Sequence, residues 1–577
     1  MKKQRKFYCA ITLCCCLQFL HAQQVPGLNK KNPVILNGSI GASANFYSSN
    51  EHDTLYSRPS FAWNTFGNVT FRTKNLTIPA SFVINQYSGS KSPAFAQYGI
   101  SPTSKWAKLH LGYRYIPLSP LIFEGQSFRG AGLELNPGLF RFAAFYGRLN
   151  KAVDEDTSRR LFTVPRFART GYGARIGIGN FSNFFDLVYF HAKDDSNSVS
   201  IKKDSLLKRA VKAQENTVLG SSFKLTLIKK IIWTGDIAVS GITHDLSYFD
   251  IDLDSAKLGQ PFKYIRKILP VNASTVASYA GQSTLSFNSK FFNTSIGYRR
   301  VEPDFKSLGT PYMINDIELL SWTNNAWVAN GKLNISTSLS QQHNNLNKKS
   351  NSELKTLVSN VTLNALFGQH VNISFGYSGY NLDQRNGTVV LSDSFLLKQQ
   401  ISQFYISPTW HFAGTTKVHT ISGHVDLSVL DDKNPATSAF TNSTNLSSSL
   451  NYTLGLTRTP INFTLNALHN KYKLEANTYT STGGTVGASL YLLKEQSLSL
   501  QGNIGYLIND YTAGEVQNNI TYSANAGYQG KHHAVNLYAN YVYTPENRNS
   551  IKIIHERVRY AVATQNLAGG LSYTYSF

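Results

Sequence analysis

The chain has 577 residues, of which 42% are hydrophobic, 12% aromatic and only 15% charged. An average soluble domain is about 25% charged, and a disordered chain has few aromatics, whereas this one carries 34 Phe, 32 Tyr and 6 Trp. Lys plus Arg total 56 against 33 for Asp plus Glu, a formal net charge of +23, so the polar fraction rests on Asn, Ser, Thr and Gln.

Lys2, Lys3, Arg5 and Lys6 precede an apolar run from Phe7 to Leu20, and Leu20-His21-Ala22 offers a small residue before Gln23. This is the pattern of a secretory signal peptide, expected over residues 1–22. The run is too short and wrongly flanked for a spanning helix. All four cysteines (Cys9, Cys14, Cys15 and Cys16) lie inside it. A lipoprotein anchor is the rival reading, but Leu13 precedes Cys14 and a Cys precedes each of the next two, where Gly, Ala or Ser is wanted. Cleavage after Ala22 removes 22 of the 577 residues and four cations, leaving 555 residues at +19 and no cysteine. A disulfide framework, a thiol nucleophile and a Cys-ligated metal are then excluded. No later apolar run reaches 18 residues.

From about Val34 onward the sequence alternates. Ala107, Leu109, Leu111, Tyr113 and Tyr115 share one face of a strand, with Lys108, His110, Gly112 and Arg114 on the other. Val371, Ile373, Phe375 and Tyr377 oppose Asn372, Ser374, Gly376 and Ser378. Leu333–Ser340, Ile461–Asn466 and Val535–Tyr543 repeat the pattern. A soluble sandwich would alternate too, but its wet face would carry many Lys and Glu. Here the second face is small and polar. Short connections at Lys74-Asn75, Asn136-Pro137-Gly138, Lys229-Lys230, Ser289-Lys290, Gly331-Lys332, Arg458-Thr459-Pro460 and Gly530-Lys531 alternate with longer ones at 150–170, 194–214, 246–270, 383–397 and 430–440. Short turns at one end and long loops at the other mark an outer-membrane barrel. The expected fold is all-β: a single large antiparallel transmembrane β-barrel over 23–577, with about 24 strands (22–26).

The chain ends on alternating Leu571, Tyr573, Tyr575 and Phe577. This resembles the C-terminal strand of bacterial outer-membrane β-barrel proteins, in which a terminal aromatic helps the barrel-assembly machinery recognise the strand. The resemblance implies the outer membrane of a Gram-negative bacterium, and lipid and lipopolysaccharide as surroundings. Aromatic girdles are expected at the interfaces, with Tyr506, Tyr543 and Tyr573 near strand ends. Asp53-Thr54-Leu55, Asp204-Ser205-Leu206 and Asp254-Ser255-Ala256 resemble the O-glycosylation motif of exported proteins of the Bacteroidota, although three residues recur by chance as readily. Asn-x-Ser/Thr triplets at Asn68, Asn75, Asn334, Asn372 and Asn462 read as by-products of a polar strand face.

Residues 88–128 strain the strand count. Pro93, Gly99, Pro102, Pro117, Pro120 and Gly125 make the segment turn-rich. Either another strand lies near Leu121–Phe128, giving 26, or part of the segment folds inward as a constricting or capping element. Glu124 and Arg129 are then its constriction candidates. Lys108, Arg114, Glu134, Arg141, Arg175 and Asp186 are the charged residues expected to face the lumen. There they would set ion preference or brace the wall as ion pairs.

No Ser/His/Asp set identifies itself among the 14 His, so no catalysis is expected. No His/Asp/Glu cluster has metal spacing, and no cofactor is expected. His532 and His533 point to opposite faces. Gly171-Tyr-Gly173 and Gly177-Ile-Gly179 lack the helix that would cradle a phosphate. Lys202, Lys203, Lys208, Arg209 and Lys212 form the densest basic run. Export argues against nucleic acid, and cations meeting lipopolysaccharide phosphates or an anion-favouring lumen suffice. A porin-like channel for passive diffusion of small solutes is the first functional expectation. A non-conducting barrel, scaffold or partner subunit to another envelope protein in secretion or envelope assembly, is the second.

Overall fold

The computed structural model describes residues 34–50, 59–86, 97–155, 164–199, 211–248, 271–390, 392–475, 477–511, 515–545, 547–554, 557–561 and 563–577. The expected signal peptide, the three Asp-Ser/Thr motifs and the basic run up to Arg209 lie outside these residues. Strands β1 to β9 are Ile35–Ser49, Phe61–Arg72, Thr77–Asn85, Gln97–Ile100, Ala107–Arg114, Phe128–Leu135, Phe140–Asn150, Ala168–Gly179 and Phe184–Asp195. β10 to β18 are Glu215–Leu227, Ile231–Thr243, Thr275–Asn288, Phe292–Val301, Ile317–Val328, Leu333–His343, Ser352–Phe367, Val371–Asn386 and Lys398–Ala413. β19 to β25 are Lys417–Asp432, Ser443–Leu456, Ile461–Leu474, Thr478–Leu492, Leu498–Tyr511, Glu515–Gln529 and His533–Thr544. A separate hairpin of β26 (Asn547–Ile554) and β27 (Arg557–Ala561) precedes β28 (Thr564–Ser576).

β1 to β25 and β28 form one 26-stranded sheet, each strand antiparallel to its neighbours. The sheet closes where β28 pairs with both β25 and β1, in a register running from Ser39 opposite Ser576 to Ser49 opposite Asn566. The number is even and lies at the top of the expected range. What completes it is not a strand near Leu121 but the four-residue β4. It pairs with β3 and, through Gly99 and Ile100, with β5.

The barrel's two termini lie at the end whose connections are all of six residues or fewer. Backbone hydrogen bonds close these turns, such as Thr73 N to Leu76 O at 2.8 Å and Gly414 N to Lys417 O at 2.8 Å. The opposite end mixes long connections with three-residue links at β21–β22 and β23–β24. β16 to β19 are 16 residues each. About 9–11 tilted residues span a bilayer, so these strands continue beyond the hydrocarbon.

Alternation assigns the two faces. Tyr146, Ile178, Ile296 and Val486, among many large apolar residues, are more than half exposed on the outer face. Trp106, Phe181, Phe291 and Phe367 stand exposed at the short-turn rim, where an interfacial girdle belongs. The inner face of β14 to β25 carries Asn, Ser, Thr and Gly, bonded strand to strand: Asn334 to Asn325 at 2.7 Å, Ser374 to Asn364 at 2.7 Å and Asn503 to Ser523 at 3.0 Å.

Two features of the sheet yield tests. Ile228 and Lys229 form the β10–β11 turn with φ of 54° and 56°. Left-handed backbone disfavours a β-branched residue by about 1–2 kcal/mol, while Asn-Gly suits such a turn. Ile228→Asn with Lys229→Gly should therefore raise the temperature at which the barrel opens, read as the gel shift between folded and unfolded bands. Phe577 stacks edge-on with Tyr575 at 5.3 Å, and its amide donates to Gly38 O at 2.9 Å across the closing seam. Phe577→Ala should lower the folded fraction in the membrane, and normal levels would remove the role assigned to this residue.

Candidate functional site

The inner face of β6 to β13 breaks the polar rule. Phe128, Phe145, Val188, Phe190, Val218 and Val301 are buried there. Water in an open lumen would not tolerate such a surface, and something must cover it. Two connections from the long-loop end do so: residues 115–127 between β5 and β6, and residues 302–316 between β13 and β14. Ile116, Leu121, Ile122 and Phe123 are fully covered and Phe305 is 1% exposed. The ring of Phe123 lies 4.4 Å from that of Phe145 and 5.4 Å from that of Phe190, and Phe128 stacks on Phe145 at 4.6 Å. This is a small hydrophobic core inside the barrel.

Hydrogen bonds fasten both segments. Ser119 Oγ donates to Asp236 Oδ1 at 3.1 Å, and Asp236 also accepts from Ser222 and from Gln282 Nε2 at 3.0 Å. Arg175 Nη1 donates to Pro117 O at 3.2 Å. Asn216, fully buried, donates to Lys306 O at 3.2 Å and accepts from Leu308 N at 3.0 Å. The segments also bind each other. Ser307 Oγ donates to Ile122 O at 2.6 Å, and Glu124 N donates to Gly309 O at 3.1 Å. A Cβ on Gly309 would lie 2.5 Å from Ile122 O and 2.8 Å from the Phe123 ring, so only glycine permits this approach.

Within residues 88–128 the structure thus contains two strands and a segment, 115–127, folded against the inner wall; residues 88–96 lie outside the described residues. The partner segment 302–316 was legible by the same signal and was missed. It holds Pro303, Gly309 and Pro311 around Phe305 and Leu308, an apolar content too high for a loop in water.

Of the charged candidates, Lys108, Arg114, Glu134, Arg141, Arg175 and Asp186 lie on the inner face, and most are paired. Arg141 grips Asp186 through Nε and Nη2, both at 2.8 Å, and Arg175 Nε stands 3.7 Å from the same carboxylate. Asp186 is 1% exposed. Lys108 lies 3.4 Å from Glu134. Arg114 donates to Ser81 Oγ at 2.8 Å and to Gly99 O. Arg169 and Asp194, unforeseen, form a second bidentate pair at 2.7 and 2.9 Å. Glu124 lies in the inward segment and is exposed. Arg129 does not face the lumen. Phe128 takes the inner position, so strand parity turns Arg129 outward beside Tyr98 and Tyr113.

One arrangement has the form of a catalytic relay. Ser101 Oγ lies 3.3 Å from His110 Nδ1, and His110 Nε2 lies 2.7 Å from Glu134 Oε1. Yet His110 is 2% and Ser101 6% exposed, and Lys108 shares the carboxylate. No substrate carbonyl could reach the hydroxyl, and the trio ties β4, β5 and β6 together. Ser407 and His424, 2.6 Å apart on the inner wall, bond as a pair without a carboxylate on the imidazole among the described residues. No group of three or more His, Cys, Asp or Glu among the described residues could hold a metal.

No protein-family model matches the sequence, and no curated protein matches it. Among solved structures, the P pilus usher (PapC) translocation pore aligns over 94% of this chain and 99% of its own, at 11% identity and a TM-score of 0.36. Acinetobacter baumannii OccAB2 aligns over 63% and 92%, at 10% identity and a TM-score of 0.29. Pseudomonas aeruginosa OccK8 (OprE) aligns over 60% and 95%, at 11% identity and a TM-score of 0.32. The likeness is distant and brings neither solute nor partner to this chain.

The internal core and the buried pairs make separable demands. Phe123→Ala should cost the barrel about 3–5 kcal/mol, seen as a lower opening temperature. Asp186→Asn leaves Arg141 and Arg175 facing each other without a counter-charge, a loss of about 3–5 kcal/mol for a broken buried pair. Arg175→Gln should be milder, since Arg141 keeps its bidentate partner.

Proposed function

We propose that the chain is an outer-membrane channel that passes small hydrophilic solutes by diffusion, narrowed by residues 115–127 and 302–316. The observation that carries this reading is the asymmetry of the inner wall. Among the described residues, the buried wall residues of the internal core lie on β6 to β13, with Ile317 at the start of β14 packed against them. The inner face of β14 to β25 keeps small polar side chains that are mostly half exposed. A recess of about 460 Å³ reaches from β12 and β13 onto this polar side and is lined by Ser286, Asn293, Ser295, Asn325, Ser336 and Asn360, among other Ser, Thr and Asn. Barrels of 16–18 strands already leave an aqueous passage, and one filled segment does not occlude 26.

The mechanism has no covalent step. Width is set by the two inward segments. The local field comes from the charges that wall pairing leaves incompletely neutralised, with Arg175, Arg114 and Glu124 as the candidates. Paired charges such as Arg141 with Asp186 hold the wall and contribute less to selection.

Planar-bilayer recording tests the proposal. The purified protein should give discrete current steps. Replacing residues 115–127 by a short Gly-Ser turn should raise unit conductance severalfold, because the cover of the inner wall is lost. Absence of current from both proteins would overturn the diffusion channel and leave the second reading, a scaffold or partner subunit.

A further inference from the structure

On the outer face near the long-loop rim, one row of side chains crosses four adjacent strands. Gly99 stands opposite Gly112, which brings Tyr98 beside Tyr113, with ring centres 5.7 Å apart. Tyr113 is opposite Arg129, and Arg129 is opposite Arg148. The Arg129 guanidinium carbon lies 5.6 Å from the centre of the Tyr98 ring and 5.8 Å from that of Tyr113. Arg148 Nη2 lies 3.5 Å from the Tyr113 hydroxyl. The next outward row toward the membrane centre holds Ala131, Tyr146 and Tyr172, with Tyr146 64% exposed. The two arginines therefore stand just above an aromatic belt, at the depth of lipid headgroups.

Two like charges directly opposite on an antiparallel pair repel. Several other cations on this outer face do hold carboxylates. Arg300 holds Glu302 and Glu318 at 2.7 Å each, and Lys193 holds Glu215 at 2.8 Å. Arg129 and Arg148 have no carboxylate partner among the described residues. Facing side chains of a strand pair are about 4.5–5.5 Å apart at Cβ, so both guanidinium forks can close on one small anion. Guanidinium forks match phosphate oxygens in pairs. Tyr113 supplies a hydroxyl beside them.

We propose that Arg129, Arg148 and Tyr113 form a binding site for a phosphate headgroup of an outer-leaflet lipid of the lipid A type, its acyl chains lying along the apolar face below. The proposal rests on the outer-membrane placement of the barrel and not on its conductance, so a barrel that passes no current can still bind the lipid. The side, the depth and the charge all agree. The site lies at the end opposite the barrel's two termini, above the tyrosines, and its uncompensated charge is positive.

Native mass spectrometry of the delipidated full barrel tests it, with bisphosphorylated lipid A and the same lipid stripped of phosphate as probes. The phosphorylated lipid should bind at least tenfold more tightly. Arg129→Gln with Arg148→Gln should abolish that preference, while Arg129→Lys with Arg148→Lys should retain part of it and Arg300→Gln should leave it unchanged. Equal binding of the two lipids by the unaltered protein, or a preference that survives in the glutamine pair, would overturn the site. Displacement of the lipid by inorganic phosphate at equal concentration would mark a free-anion site and overturn the lipid assignment. If the glutamine pair does not assemble, the comparison of the two lipids on the unaltered protein decides alone.

Discussion

Everything in this protein follows from the need to pair backbone hydrogen bonds where no water can replace them. Within hydrocarbon an unpaired N–H or C=O costs several kcal/mol, and a sheet survives there only without edges. β28 therefore returns to β1 after 26 strands. The seam binds residues from opposite ends of the chain, as in the bond from Tyr538 Oη in β25 past the last strand to Asn45 Oδ1, 493 positions away, at 3.0 Å. Closure also fixes the parity of each strand. One face must meet lipid and the other the lumen, and a slip of one residue would reverse every side chain.

A closed ring of this size creates a second problem. Its interior is wider than wall side chains can fill. Along β14 to β25 the lumen stays polar and the wall is satisfied by its own Asn, Ser and Thr. Along β6 to β13 the chain instead builds an apolar wall and returns two loops to cover it. The covering is specific, because backbone groups inside it are paired with a wall side chain, Lys306 O with Asn216, and across the two segments, Ile122 O with Ser307. The same part of the barrel concentrates the buried ion pairs, whose geometry is satisfied within the wall. Polarity in this lumen is thus divided between a side that is open to solute and a side that is structural.

The strands, most turns and the even, closed sheet were legible from residue order. Alternation is local, and a strand's two faces are visible in its own sequence. The inward faces of Lys108, Arg114, Glu134, Arg141, Arg175 and Asp186 followed from the same parity. Parity failed only where the strand's start was misplaced. Placing Arg129 with Glu124 in the inward element hid that Phe128 already occupies the inner side, and that Arg129 must face outward. The meeting of residues 115–127 with 302–316 was not legible. The two segments are separated by some 175 residues (from 127 to 302), and nothing local in either points to the other as its partner.

By itself, then, the sequence determined which residues alternate, where the chain turns and which faces carry charge, because each of these depends on neighbours within a few positions. Only the tertiary structure decided which charges are neutralised, which loops enter the lumen and which arginines on the outer face have no carboxylate beside them among the described residues. Those outcomes depend on distances across the barrel between residues far apart in the chain. Arg141 and Asp186, or Arg129 and Arg148, become partners or rivals only when the register of the intervening strands sets them side by side.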